Sequence, residues 1–255
     1  MQKKLCALIV NPVYRDRNQT FDGILKMAEC AAASGAGVIL FPEAALTGLV
    51  NNDDPNHDLP LGVSIPGPIT DALGMLCCRC KIWLGIGLLE RAGEKLYDSA
   101  VLLDHQGNIA LKYRRNQPQW HGKHADPSVY DEGTKIGIVT TPIGSVAFLI
   151  CGDLFDNTIV SRLKALNPDW LFFPFARCFS DGSIDQQRWD TEELPDYAAR
   201  VALTGTTTLM VNYFADPDLN DGNTFGGAWV INAQGKVIQS YPTGKTGILM
   251  VDLFS

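Results

Sequence analysis

The sequence predicts a mixed α/β protein, a mixed β-sheet architecture with helices on its outer faces. Three observations predict it. Apolar runs of strand length alternate with segments of helical period. Two turn tetrapeptides, Asp104-His105-Gln106-Gly107 and Asn232-Ala233-Gln234-Gly235, stand between strand-like runs and mark hairpins. Hydrophobic residues make up 46% of the 255 and charged residues 19%, which suits a large core and not a disordered chain.

The elements follow in order. Residues 5–11 form a short Leu/Ile/Val-rich strand ended by Pro12, and 20–34 carry a helical period stopped by Gly35 and Gly37. Residues 38–41 read as a second buried strand closed by Pro42. The Asn-, Asp-, Pro- and Gly-rich stretch 51–68 reads as a loop. A helix at 69–80 precedes strands at 82–89, 100–103 and 109–113. Residues 116–133 have no clear period and read as a long loop, a length that tends to carry function. Beyond it come a strand at 145–150, a helix at 158–166, a strand at 170–175 and a helix at 194–203. Strands at 206–212, 227–231, 237–241 and 248–252 complete the chain. With no repeat, low-complexity tract or linker, we expect one domain over residues 1–255.

Lys+Arg number 21 and Asp+Glu 28, so the formal charge is 21 − 28 = −7. This excludes the basic face of a nucleic-acid binder and docking on an anionic membrane. No apolar run approaches the roughly 18 residues of a transmembrane helix, and the start of the chain lacks the apolar core of a secretory signal. A cytoplasmic protein is expected. Seven cysteines, an odd number, do not read as a disulfide framework. Cys77, Cys78 and Cys80 have no second cluster at zinc spacing, and His121 and His124 lack a convincing third ligand, so no metal and no cofactor is expected.

Two strands end on chemistry. One runs Val38-Ile39-Leu40-Phe41-Pro42-Glu43 and ends in a carboxylate. The other runs Val146-Ala147-Phe148-Leu149-Ile150-Cys151 and ends in a thiol. Rigid strand ends are where α/β proteins hold reactive groups at a cleft. Gly152 permits a sharp turn and exposes an N–H of the kind an oxyanion hole needs. No histidine shares this context, so the candidate base for a Cys151 nucleophile is Glu43, which needs a pKa raised by burial. Taken alone, Cys151 also reads as a core thiol and Glu43 as a helix-start carboxylate.

These segments resemble the carbon–nitrogen hydrolase (nitrilase) superfamily. The resemblance rests on FPEAALTGL at 41–49, DHQGNIALKYRR at 104–115, ICGDLF at 150–155, FFPFA at 172–176, ARVALTGTTTLMVN at 199–212 and GGAWVINAQGKVI at 226–238. It implies a four-layer α-β-β-α sandwich and a homodimer or larger homo-oligomer. It also implies a Glu–Lys–Cys triad acting on a small molecule, often with a second Glu at the site. Glu43 and Cys151 match the first and last members. Arg115 stands at the lysine's place and Asp126, counting back from Gly133, at the second glutamate's. Lys112, three residues from Arg115, points to the opposite strand face. Arginine keeps charge and donors but does not give up a proton. A longer Arg115 and a shorter Asp126 are expected to compensate for one another. Arg177, after FFPFA, borders the expected substrate pocket, either free for a substrate carboxylate or paired with a local Asp. Asp153 is expected to tie the Cys151 turn to nearby N–H groups. Trp120, Trp189 and Phe175 read either as pocket lining or as core.

Two functions stay open. One is hydrolysis of a linear amide or carbamoyl C–N bond through a Cys151 thioester, with nothing singling out nitriles. The other is a catalytically altered relative that binds a small molecule or partner.

Overall fold

The computed structural model describes residues 5–219 and 222–253. Twelve strands build two six-stranded sheets. They are β1 (Leu5–Val10), β2 (Ala36–Leu40), β3 (Trp83–Ala92), β4 (Lys95–Leu103), β5 (Ile109–Arg114) and β6 (Ile138–Thr141). They continue with β7 (Gly144–Phe148), β8 (Trp170–Phe175), β9 (Thr207–Asn212), β10 (Ala228–Ile231), β11 (Val237–Tyr241) and β12 (Gly247–Asp252). The first sheet has the order β12-β1-β2-β3-β4-β5 and the second β11-β10-β9-β8-β7-β6. In each sheet the inner strands are parallel (β1-β2-β3 and β7-β8-β9) and the remaining pairings antiparallel. A two-residue pairing of Pro12–Val13 with Phe214–Ala215 stands apart from both sheets.

Strand periodicity explains the layers. Along β1, Cys6, Leu8 and Val10 enter the apolar cluster shared with the second sheet, while Ala7 and Ile9 enter the cluster shared with helices. Helix α1 (Arg17–Ala33), capped by Asp16, brings Ile24, Ala28 and Ala31 to that outer face, and α2 (Pro68–Cys80) brings Leu73, Leu76 and Cys77. On the second sheet, Phe172 of β8 points inward: a Cβ on Gly85 of β3 would stand 3.4 Å from its ring. Phe173 and Phe175 face outward onto Tyr197. There α3 (Asn157–Leu166) and α4 (Leu194–Thr204) supply Ile159, Leu163, Tyr197 and Val201. The result is the expected α-β-β-α sandwich. Among the described residues no helix is long and apolar enough to cross a membrane.

Three segments differ from expectation. β4 starts at Lys95, five residues early, because its first half is polar. β6 was missed because only Thr141 of its four residues is buried. Pro55–Asp58 is a short helix inside the expected loop, capped by Asp54. Trp120, Trp189 and Phe175 are all core, at 3%, 0% and 0% exposure.

One close approach positions Glu43. The chain beyond β2 continues along β3, with Gly87 N–H donating to the Pro42 carbonyl and Ala45 N–H to the Gly87 carbonyl. A Cβ on Gly87 would lie 2.5 Å from Glu43 Cα and 2.6 Å from the Pro42 oxygen, both backbone atoms that cannot step aside. Gly87→Ala is therefore expected to lower stability by about 1–3 kcal/mol by overpacking. Urea denaturation measures the cost, and the Glu43 seat should shift with it.

Candidate active site

The ends of β2, β5 and β7 converge. Glu43 lies three residues past β2 and is fully buried, Arg115 directly follows β5, and Cys151 opens a 3-10 turn, Cys151–Phe155, just beyond β7. Cys151 itself takes the left-handed conformation, at φ 43°, a strained choice for a residue with a Cβ that is typical of functional turns. Sequence reasoning assigned the sharp turn to Gly152, but Gly152 serves another need. A Cβ there would stand 2.4 Å from Arg115 Nη2 and 2.6 Å from Gln117 Oε1, so glycine makes room for the guanidinium.

Arg115 is 3% exposed and lies between acids. Its Nη1 donates to Glu43 Oε1 at 3.0 Å and Asp98 Oδ2 at 3.4 Å, and its Nη2 donates to Gln117 Oε1 at 2.8 Å. Burial works against its charge, yet Cys151, Glu43 and Asp98 raise its pKa above the ordinary arginine value. Burial first, and then the Cys151 sulfur, push Glu43 up to about 8, with Arg115 opposing. Cys151 lies within electrostatic reach of Glu43, and its Sγ lies 3.7 Å from the Ala176 carbonyl oxygen.

Asp153 holds the turn in place, in the role its position suggested. Its Oδ2 accepts from Tyr113 O–H at 2.6 Å and Ile150 N–H at 2.9 Å. Its Oδ1 accepts from Asn116 N–H at 3.0 Å and Gln117 N–H at 2.8 Å.

Other residues fall elsewhere. Asp126 is exposed, and its carboxylate accepts from the Ser128 N–H and hydroxyl at 2.8 and 2.7 Å. It caps its own turn and does not line the cleft at Cys151, so it offers Arg115 no compensation. Lys112 and Arg114 share the opposite strand face and both bind the buried Glu90, at 2.7 Å each. Arg177 does border the cleft, but Glu193 takes its guanidinium with two bonds, at 2.7 and 2.6 Å. Its charge is thereby matched by an acid, though not by the Asp the sequence suggested. Cys77 is buried in the helical layer.

Sequence reasoning missed Asp98. It is 1% exposed, and the β4-β5 register sets it beside Arg115, whose N–H donates to the Asp98 carbonyl at 2.8 Å. An acid inside the run KLYDSAVLL was its signal, because aspartate is almost never fully buried without a partner. The cleft outside Cys151 has a volume of about 490 Å³ and is walled by Phe155 and Tyr197, also unforeseen. A larger cavity of about 690 Å³, lined by Tyr14, Arg15 and His57 among others, holds none of the strand-end groups.

The carbon–nitrogen hydrolase family profile matches residues 5–254. A bifunctional nitrilase/nitrile hydratase of Lupinus angustifolius is 26% identical over 54% of this chain and 43% of its own length, so the chain matches less than half of that relative. Nitrilase 2 of Arabidopsis thaliana is 22% identical over 94% of this chain and 77% of its own. Among solved structures, a carbon–nitrogen hydrolase from Helicobacter pylori G27 superposes with a TM-score of 0.82 at 17% identity, covering 99% of this chain and 91% of that one. The amidase of Nesterenkonia sp. AN1, in a variant with acrylamide added to its active-site cysteine, gives 0.78 at 21% identity, covering 97% and 92%.

The raised Glu43 pKa has a signed consequence. Between the ordinary value of 4.5 and about 8, the folded protein keeps a proton that the unfolded chain releases. Stability from this group is therefore complete below 4.5 and is lost as pH rises through about 8. Glu43→Gln is expected to flatten the fall in urea midpoint over that window relative to wild type.

Proposed function

The chain belongs to the carbon–nitrogen hydrolase family, and from that premise we propose that it hydrolyses a small linear amide or carbamoyl compound through a Cys151 thioester. The observation that carries this reading is the buried Glu43 carboxyl, bonded to a fixed cation and within electrostatic reach of Cys151. A protein that only binds needs no such pairing.

Glu43 takes the Sγ proton as sulfur attacks the carbonyl carbon. The oxyanion accepts hydrogen bonds from the Arg115 guanidinium and the Gly152 N–H, donors fixed before the reaction starts. Glu43 returns the proton to the leaving nitrogen as the C–N bond breaks. Water then attacks the thioester, Glu43 accepts its proton, and the released thiolate takes that proton back. Amide and water become acid and amine. Arg115 supplies charge and geometry and moves no proton.

The cleft favours an uncharged substrate or one bearing an amine. Glu193 matches the Arg177 charge, and Asp196 adds another acid to the wall. A substrate carboxylate would have to displace Glu193 from a two-bond ion pair. The acrylamide adduct of the Nesterenkonia amidase, itself a small neutral amide on a cysteine, supports this class.

The test is mass spectrometry and turnover over a panel of aliphatic amides, carbamoyl compounds and nitriles. An acyl adduct on Cys151 is expected with amides, and none with Cys151→Ala. Wild type inert to the whole panel would favour the binding reading instead. Arg115→Lys keeps the charge but loses the fork that serves Glu43, Asp98 and Gln117. It is expected to lower kcat/KM at least about 100-fold. Full activity would mean that charge alone suffices.

A further inference from the structure

We infer that Asp98 shares one proton with Glu43, and that this carboxyl–carboxylate pair, not Glu43 alone, receives the proton of Cys151. The inference deepens the hydrolase reading and rests on it for the chemistry. The proton itself is a separate claim.

The geometry comes first. Both side chains are buried from solvent and both accept from the same Arg115 Nη1. Sharing that one nitrogen brings the two carboxyl groups next to one another. Each leaves one buried oxygen with no donor, Glu43 Oε2 and Asp98 Oδ1. Two ionised carboxylates have no hydrogen to place between them. A single proton supplies the missing donor.

Charge counting agrees. Two buried carboxylates face one buried guanidinium, so one retained proton makes the cluster neutral. The other ionisable groups do not supply it. Asp153, the further acid near Asp98, has both oxygens filled by its four donors. Arg115 is 3.0 Å from Glu43 and 3.4 Å from Asp98. The closer guanidinium favours the charge on Glu43 and the proton on Asp98, and this shared proton is the one the folded protein keeps above the ordinary carboxylate range. Burial, then the mutual repulsion of the pair, pushes Asp98 well above the usual carboxylate range.

The pair changes the reaction's first step. When Cys151 yields its proton, Glu43 and Asp98 become two neutral acids, and the charge passes to sulfur, which then faces Arg115 without a competing anion. The proton next moves from Glu43 to the leaving nitrogen, and the pair again holds one. Asp98 acts through Glu43 and is a positioning residue.

Two measurements test this, and neither needs a substrate. The probe for the thiol is iodoacetamide, with the rate of Cys151 alkylation followed against pH. Asp98→Asn offers Glu43 a weaker amide donor in place of a carboxyl, so the acid limb of the profile should move up by about one pH unit. A downward move would mean that Asp98 is ionised at rest and had been repelling Glu43. An unmoved limb would mean that Asp98 lies outside the proton path. Either result overturns the proposal. The second measurement is infrared spectroscopy at neutral pH, where wild type should show a protonated-carboxyl stretch that both Asp98→Asn and Glu43→Gln remove. Its absence from wild type overturns the proposal even if one variant fails to fold. A shifted limb with no turnover on any amide would keep the pair and remove the hydrolase reading.

Discussion

The site depends on the Asp153 carboxylate. It accepts from Ile150 N–H on the second sheet's side, and from Tyr113 O–H, Asn116 N–H and Gln117 N–H on the first sheet's side. Apolar packing between the two sheets is strong but not directional, so it cannot set two strand ends to a fraction of an ångström. Four hydrogen bonds to one buried carboxylate can, and each such bond to a charged group contributes about 1.5–3 kcal/mol. This carboxylate fixes the Cys151 turn and the Arg115–Gln117 segment to one another. The left-handed backbone at Cys151 is sustained by that over-determination.

Given that anchor, the remaining constraints are steric and electrostatic. Arg115 fits only because Gly152 has no Cβ, and Glu43 is seated where it is only because Gly87 has none. A buried guanidinium is costly without acceptors, and here Glu43 and Asp98 take Nη1 while Gln117 takes one of the two Nη2 hydrogens. Burial that raises the Glu43 pKa is the same burial that strengthens its attraction to Arg115, so this carboxyl is poised by two opposed effects of one environment.

Much of this was legible in the sequence. Strand ends carry reactive groups for a local reason, and an apolar run closing on Pro42-Glu43 or on Cys151-Gly152 displays it. What escaped was non-local. Asp98 sits in the polar half of β4, which hid the strand because that half serves Arg115 and Glu90 instead of the core. It is brought to the site by hairpin register, which turn residues fix but apolar pattern does not show. Asp126 was placed by spacing from Gly133. The segment between them is a loop, where spacing sets no direction, and its carboxylate is consumed by Ser128. Arg177 lines the cleft, but its partner Glu193 lies sixteen residues on, at the end of the second of two short helical turns.

The arginine at position 115 constrains how protons move. A lysine in that position would be a compact cation able, when buried, to lose its proton; a guanidinium cannot. On the proposed reaction, proton traffic at Cys151 runs through carboxyl groups. The cation must also be held by its planar fork, because a fork turned away from Glu43 would leave that carboxylate buried and unpaired. Both demands lead to a second acid within reach of the same nitrogen. Asp98 stands at that position, and Gln117 on the other arm stops the guanidinium from rotating. Arg115 is thus held by more than its own strand: a buried acid on the neighbouring strand, a neutral amide on the following loop and a glycine at the turn all fix it.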